Sequence, residues 1–265
     1  MNRWARTLRH YLPALVVAVA GIGLWEGVIR ALQVRSFFLP APSAIATALV
    51  ENWDTGRQIF PAAQTTLYEA AGGLVLGTAL GVAVAFVVGR FQVARDAILP
   101  LAIAVNAIPI VAFAPLANNW FGTLSPYSKM AIAAALVFFP IMINVLRGLT
   151  QVDASALELM RSYAASERAV LAKVRIPNAL PFFLTGLKVG TTLALIGAVV
   201  GEYFGGLNVA LGRVVVESAS ALAFEVTWAA ILVTAVTGIG MYLLIAGVER
   251  VVIPWHSSIR GEQLA

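Results

Sequence analysis

The sequence predicts an all-α fold, a polytopic bundle of about six transmembrane helices, and three observations lead there. Of its 265 residues 60% are hydrophobic and only 12% charged, with a mean hydropathy of +0.87; an ordinary soluble domain carries about twice that charge fraction. The apolar residues come in charge-free blocks near the ~20 residues that cross a bilayer as a helix. The basic residues are shared unevenly among the segments between those blocks. Composition also excludes. Without cysteine there are no disulfides, thiol nucleophiles or thiolate metal sites, and His10 and His256, near opposite ends of the chain, make no metal cluster. A net charge of +5 in such a chain reads as the Lys and Arg excess of cytoplasmic loops, not as a nucleic-acid surface.

Charge interruptions delimit spans at about 11–29, 70–89, 97–120, 130–146, 182–201 and 226–248. The first follows Arg3, Arg6 and Arg9 as a signal peptide would. It has Trp25-Glu26 in place of a small-residue cleavage site, so it reads as a retained span. With the N-terminus inside, the inner segments hold twelve of the 18 basic residues. The outer ones hold five, Arg30, Arg35, Arg57, Lys129 and Arg213, and Lys188 falls at the start of the fifth span. This bias predicts a multi-pass protein with both termini cytoplasmic.

Helices in lipid associate where small residues let backbones approach. Gly73, Gly77 and Gly81 form such a row in the second span, and Gly197, Gly201 and Gly205 another at the end of the fifth. The third span differs. Pro100, Pro109 and Pro115 each remove a backbone donor, and Asn106, Asn118 and Asn119 add amides; broken polar helices at membrane depth belong inside protein or beside a water-filled path. Of the acidic residues, Glu26 and Glu202 are read as the two that touch a span end, with Glu202 either a gate or a helix cap beside Arg213.

Outside the spans, residues 37–43 read as an extended connector with Ser43 capping a short helix to about Asn52. Residues 205–224 read as a short mixed loop. In the 150–180 segment Asp153 can cap a helix from Ala154, and Ser166 can cap a second from Glu167 that Pro177 and Pro181 stop. Two short helices, apolar on one side and charged on the other, suit either docking of a cytoplasmic protein or contact with anionic lipid.

The run Glu158-Leu159-Met160-Arg161-Ser162-Tyr163-Ala164-Ala165-Ser166, followed by Ile176-Pro177-Asn178-Ala179-Leu180-Pro181, resembles the cytoplasmic loop of binding-protein-dependent ABC importer permeases, E-A-A-x-x-x-G-A-S and then I-x-L-P. Met160 replaces the second family alanine, and Ala164 or Ala165 replaces the glycine. Trp25-Glu26, Leu39-Pro40-Ala41-Pro42-Ser43, Ala114-Pro115-Leu116, Trp120-Phe121-Gly122, Ser128-Lys129 and Phe138-Phe139-Pro140-Ile141 extend the likeness along nearly the whole chain. They resemble the branch for nitrate, sulfonates, taurine, thiamine pyrimidine precursors and riboflavin.

The resemblance implies a type I importer permease fold in a bacterial inner membrane, one domain over 1–265 with a coupling loop at 150–180. It implies a second permease copy, a cytoplasmic ATPase dimer, and a periplasmic or lipid-anchored solute-binding protein. The coupling residues it implies are Glu158, Leu159, Arg161, Ser162, Tyr163, Ala164, Ala165, Ser166 and Pro177. Asn106, Pro109, Asn118, Asn119, Gly201 and Glu202 are expected along the solute path. No G-x-x-x-x-G-K-[ST] phosphate loop occurs in the sequence, so ATP and Mg are expected on the partner ATPase, with no cofactor on this chain and no catalysis by it. A secondary transporter driven by an ion gradient is the rival reading, and it would place coupling acids within the spans.

Overall fold

The computed structural model describes residues 3–91, 100, 109–206 and 209–254, in which helices are joined by turns without a strand. In chain order they are α1 (Arg3–Ala31), α2 (Pro42–Glu51), α3 (Ile59–Arg90), α4 (Ile110–Phe121), α5 (Pro126–Thr150), α6 (Ala154–Ser162) and α7 (Glu167–Val170). A π-helical turn (Leu171–Arg175) leads into α8 (Ile176–Phe204), followed by α9 (Leu211–Ser220) and α10 (Phe224–Val252). Five stretches among the described residues are long and apolar enough to cross a membrane: Leu12–Ala31, α3, α5, Glu167–Phe204 and α10. Residues 97–99 and 101–108 of the third expected span lie outside the described residues, and α4 makes up nearly all of its described part. Asn106 is outside them too.

The core is the trio α3, α5 and α8. Ala70, Ala85 and Val88 of α3, Ala133, Val137, Ile141 and Val145 of α5, and Ala194 and Ala198 of α8 form one buried cluster. Both glycine rows face α5 within the same chain. A Cβ at Gly77 would stand 2.6 Å from the carbonyl oxygen of Ala134, and one at Gly197 would stand 2.6 Å from the Cα of Ala133. Only residues without a side chain let the backbones meet this closely. At the other end of the same contact a Cβ on Gly148 would lie 2.5 Å from the Cα of Ala179.

The remaining helices are peripheral. The spanning windows of α1 and α10 are each only 6% buried, against 56% in α5, so the rest of this chain leaves their apolar side chains uncovered. Two polar contacts and one aromatic contact tie them to their neighbours. Lys188 of α8 pairs with Glu249 of α10 at 2.7 Å, Trp25 packs edge-on against Trp228 with ring centroids 5.6 Å apart, and Glu26 reaches the start of α2. There Glu26 accepts from the Ser43 amide at 3.0 Å and the Ser43 hydroxyl at 2.7 Å, and it pairs with Arg30 at 2.6 Å. The expected Ser43 cap is therefore replaced: α2 begins two residues earlier behind Ala41 with Pro42 in its first turn, and a carboxylate from α1 serves the Ser43 amide that α2 leaves free.

Two further expectations are corrected. The 205–224 loop contains α9, whose Leu211 and Val214 are buried in a cluster with Ile45, Ile59 and Ala229. The second helix of the 150–180 segment does not stop at Pro177. Proline is tolerated in a first helical turn because its missing donor lies among those left free there. Glu167–Phe204 therefore runs on, with Pro177 in the first turn after the π turn, and the expected stop at Pro181 fails too, since Pro181 lies inside α8.

Candidate functional site

Two places stand out, at opposite ends of the core. At the loop end, Asp153 caps α6 by accepting from the backbone amide and the hydroxyl of Ser155, both at 2.9 Å. These bonds hold its carboxyl below the usual aspartate range. Three residues after α6 begins its last turn, the chain reverses. Ala164 sits at φ +48°, its amide donates to Arg161 O at 2.9 Å, and the Ala165 amide donates to Met160 O at 3.0 Å. This paired 5→2 and 6→1 closure is a Schellman motif, whose left-handed residue is usually glycine. Ala164 thus stands at the turn position where the family pattern has its glycine, and an L side chain is held there against a cost of roughly 1–2 kcal/mol. The Ser162 hydroxyl bonds Leu159 O at 2.7 Å, and Ser166 caps α7 through the Ala169 amide at 3.3 Å.

No residue of α6 is buried. Leu159 and Tyr163 are 56% and 76% exposed, with Glu158 and Arg161 exposed beside them. The segment is nevertheless fastened to the core. Asn178, next to Pro177, donates to Gly148 O at 2.7 Å and Gln151 O at 3.0 Å, and Arg175 donates to Leu149 O at 3.3 Å. Side chains from the α7–α8 run thereby satisfy the last carbonyls of α5.

At the opposite end, charges are buried among the spans. Glu69 of α3, Lys129 of α5 and Glu202 of α8 are at most 1% exposed. The carboxyl groups of Glu69 and Glu202 interact directly, and the Lys129 charge acts on both. Glu202 Oε2 accepts from the Gly212 amide at 2.7 Å, and Thr66 Oγ1 accepts from the Leu211 amide at 3.0 Å. The first amides of α9 are thus capped by two different spans. Lys129 Nζ donates to Thr123 O and to Ser125 O, covering the turn before α5. Both amide atoms of the buried Asn118 have no hydrogen-bond partner among the described residues, while the Glu69 and Glu202 carboxyls lie within hydrogen-bonding reach of each other. Unmet buried polar atoms at membrane depth are costly and point to function.

Of the expected path residues, Asn118, Gly201 and Glu202 come together here. A Cβ on Gly201 would touch Lys129 Cγ at 3.0 Å. Asn119 and Pro109 are exposed instead. Arg213 does not partner Glu202; it pairs with Glu217 at 2.8 Å, as does Arg57 at 3.1 Å. Sequence reasoning missed Glu69 and treated Lys129 as an outer-loop charge, so Glu26 and Glu202 were not the only acids at a span. The signal was present: Thr66, Glu69, Gly73, Gly77 and Gly81 lie on one helical stripe, and all are buried.

Comparison with known proteins agrees with this geometry. A formylaminopyrimidine transport permease protein (ThiX) of Halalkalibacterium halodurans is 31% identical over 256 residues, covering 97% of this chain and 99% of that one. A riboflavin transport system permease protein (RibX) of Chloroflexus aurantiacus is 28% identical, over 96% and 95% of the two chains. The taurine transport system permease protein TauC of Escherichia coli is 26% identical, over 97% and 94%. Residues 43–254 match the family described as binding-protein-dependent transport system inner membrane component, and with a capped, exposed loop helix at one end and spans that bury charge at the other, the chain belongs to that family, as a permease subunit of an ABC transporter.

Proposed function

We propose that two copies of this chain form the path of an importer. In this reading α6 docks on a cytoplasmic ATPase, a solute-binding protein delivers solute at the opposite face, and both termini lie in the cytoplasm. The observation that carries the docking role is α6 itself, capped at both ends, without a buried residue, and tied to the core only through its flanks. ATP and Mg act on the partner, and this subunit transmits its motion without catalysis of its own. Glu158, Leu159, Arg161 and Tyr163 supply the contact, while Ser162, Ala164, Ala165, Ser166 and Pro177 shape it.

Solute passes the opposite end, where Asn118, Gly201 and Glu202 meet Glu69 and Lys129. Two carboxyls and one ammonium favour a small organic solute bearing N–H donors over an inorganic anion. A pyrimidine vitamin precursor fits this best among the solute classes named for the relatives, with amino sulfonates next. Glu158→Lys tests the docking role. It is expected to leave insertion intact and to abolish co-purification of the ATPase, since disrupting a buried interfacial charge can cost ~2–5 kcal/mol. Full retention of the ATPase and of uptake would refute the assignment. Uptake of labelled aminopyrimidine, riboflavin and taurine by cells carrying the complete transporter decides among the solutes.

A further inference from the structure

We propose that the cavity between the ends of α3 and α5 and the π turn is a binding site for a phosphate group, filled in the membrane by the headgroup of an anionic phospholipid. The cavity measures about 360 Å³, and three arginines border it: Arg90 from the end of α3, Arg168 from α7 and Arg175 from the π turn. Glu167 is the one carboxylate on its border. Among the described residues no ion pair engages any of the three guanidinium groups. Only Arg175 makes a hydrogen bond, one donation to Leu149 O at 3.3 Å. A guanidinium fork offers five N–H donors in a geometry matched to phosphate, so three of them around one cavity leave far more donors than the protein uses.

The floor explains why a lipid is the source. Phe86, Leu149 and Leu171 line the cavity beneath the arginines, and exposed Val87, Leu80 and Leu76 continue the apolar surface along α3. A headgroup placed among the arginines leaves its chains on that surface. The π turn also contributes: its extra residue rotates what precedes it by about 100° relative to an unbroken α-helix, and it is the element that presents Leu171 and Arg175 to the cavity. The lipid assignment rests on the reading that this end faces the cytoplasm, whose leaflet is rich in anionic lipid. The phosphate site itself does not.

The test is native mass spectrometry of the purified, assembled transporter with its ATPase, titrated with phosphatidylglycerol, phosphatidylcholine and inorganic phosphate. Phosphatidylglycerol is expected to bind in preference to phosphatidylcholine, with the preference shrinking as ionic strength rises. Each arginine near an anionic surface is worth about 1 kcal/mol, or about fivefold. Arg90→Gln with Arg168→Gln should therefore weaken phosphatidylglycerol about twentyfold, while Arg147→Gln, an exposed arginine at the same depth that does not border the cavity, should leave it unchanged. Displacement of the lipid by millimolar phosphate would support the phosphate site and reassign its occupant to the free anion. Equal binding of both lipids, or an unaltered double variant, would overturn the proposal. So would the absence of any bound lipid from the assembled transporter, which would make the cavity a docking pocket for the ATPase. The readout is blind to topology, so reporter fusions showing this end outside would refute the orientation and leave the site standing.

Discussion

The two ends of the α3–α5–α8 core handle charge in opposite ways. At one end Glu69, Lys129 and Glu202 turn inward, fully buried, and occupy themselves with one another and with the amides of α9. At the other, Glu158, Arg161, Arg90 and Arg168 are exposed, held on elements whose caps are complete but whose surfaces are uncovered. The buried end is closed by groups of this chain, with the Asn118 amide left unpartnered. The exposed end is unfinished without other molecules. Charge removed from the first should therefore damage the subunit alone, whereas charge removed from the second should damage only its associations.

The sharpest way to break this contrast is Lys129→Met. It leaves two buried carboxyl groups without their counter-charge, and stripping one partner from a buried ionic group costs about 3–5 kcal/mol. A large fall in the thermal unfolding midpoint of the purified permease is expected, while Arg161→Gln at the exposed end should stay within about 0.5 kcal/mol. Equal midpoints for the two would erase the distinction between the ends.

Next in size is the stretch that joins them. Gly197→Leu drives a side chain into the backbone of Ala133, and overpacking of this kind costs about 1–3 kcal/mol. Solute uptake should be lost in a correctly inserted, ATPase-bound complex. Uptake at the unaltered rate would show that α5 and α8 can part without consequence. Ala164→Gly probes the exposed end from the favourable side. Relieving an L residue at φ +48° should stabilise the α6 turn by about 1 kcal/mol, read as slower amide exchange at Ala164 and Ala165.

The smallest effect is that of pH on Asp153. Its carboxyl is held below the ordinary value by the Ser155 bonds, so the cap is intact at neutral pH and is lost as pH falls below the usual aspartate range. The protection of the Ser155 amide, the intrinsic exchange rate at each pH divided by the observed one, should fall in acid. In Asp153→Asn, whose side chain does not titrate there, that pH-dependent loss of protection should vanish; its persistence would mean that another group governs the turn.

Much of this was legible in the sequence. The caps at Asp153 and Ser166 were readable because a side-chain acceptor followed by a short amphipathic run is a local signal. The glycine rows were readable because period-four spacing survives in any packed helix. What escaped depended on partners distant in the chain. Glu69 was set aside because a hydropathy boundary drawn at residue 70 treats an acid as an end, although α3 begins at Ile59 and buries that acid against α5 and α8. Lys129 read as a loop charge for the same reason. Ser43 was assigned as a cap from its own neighbourhood, while the group that serves those amides, Glu26, lies 17 residues earlier. Helix α9 was missed because its buried face is made by α10, α8 and α3 together, an arrangement no local window contains.

The contact between α5 and α8 has a mechanical consequence. It runs from Gly148 against Ala179 to Gly201 against Lys129, which along α5 spans 19 residues or ~28 Å, close to the ~30 Å thickness of the hydrocarbon layer. The two rods touch backbone to backbone at Gly148 against Ala179 and at Gly197 against Ala133, and between these points Gly186 and Gly190 seat the side chains of Asn144 and Val137. A push on one rod is passed to the other at two hard stops, with little play between them. Strain applied at one end of the core is therefore carried by the α5–α8 pair, while α1 and α10, with spanning windows only 6% buried, are the helices least held by the rest of the chain.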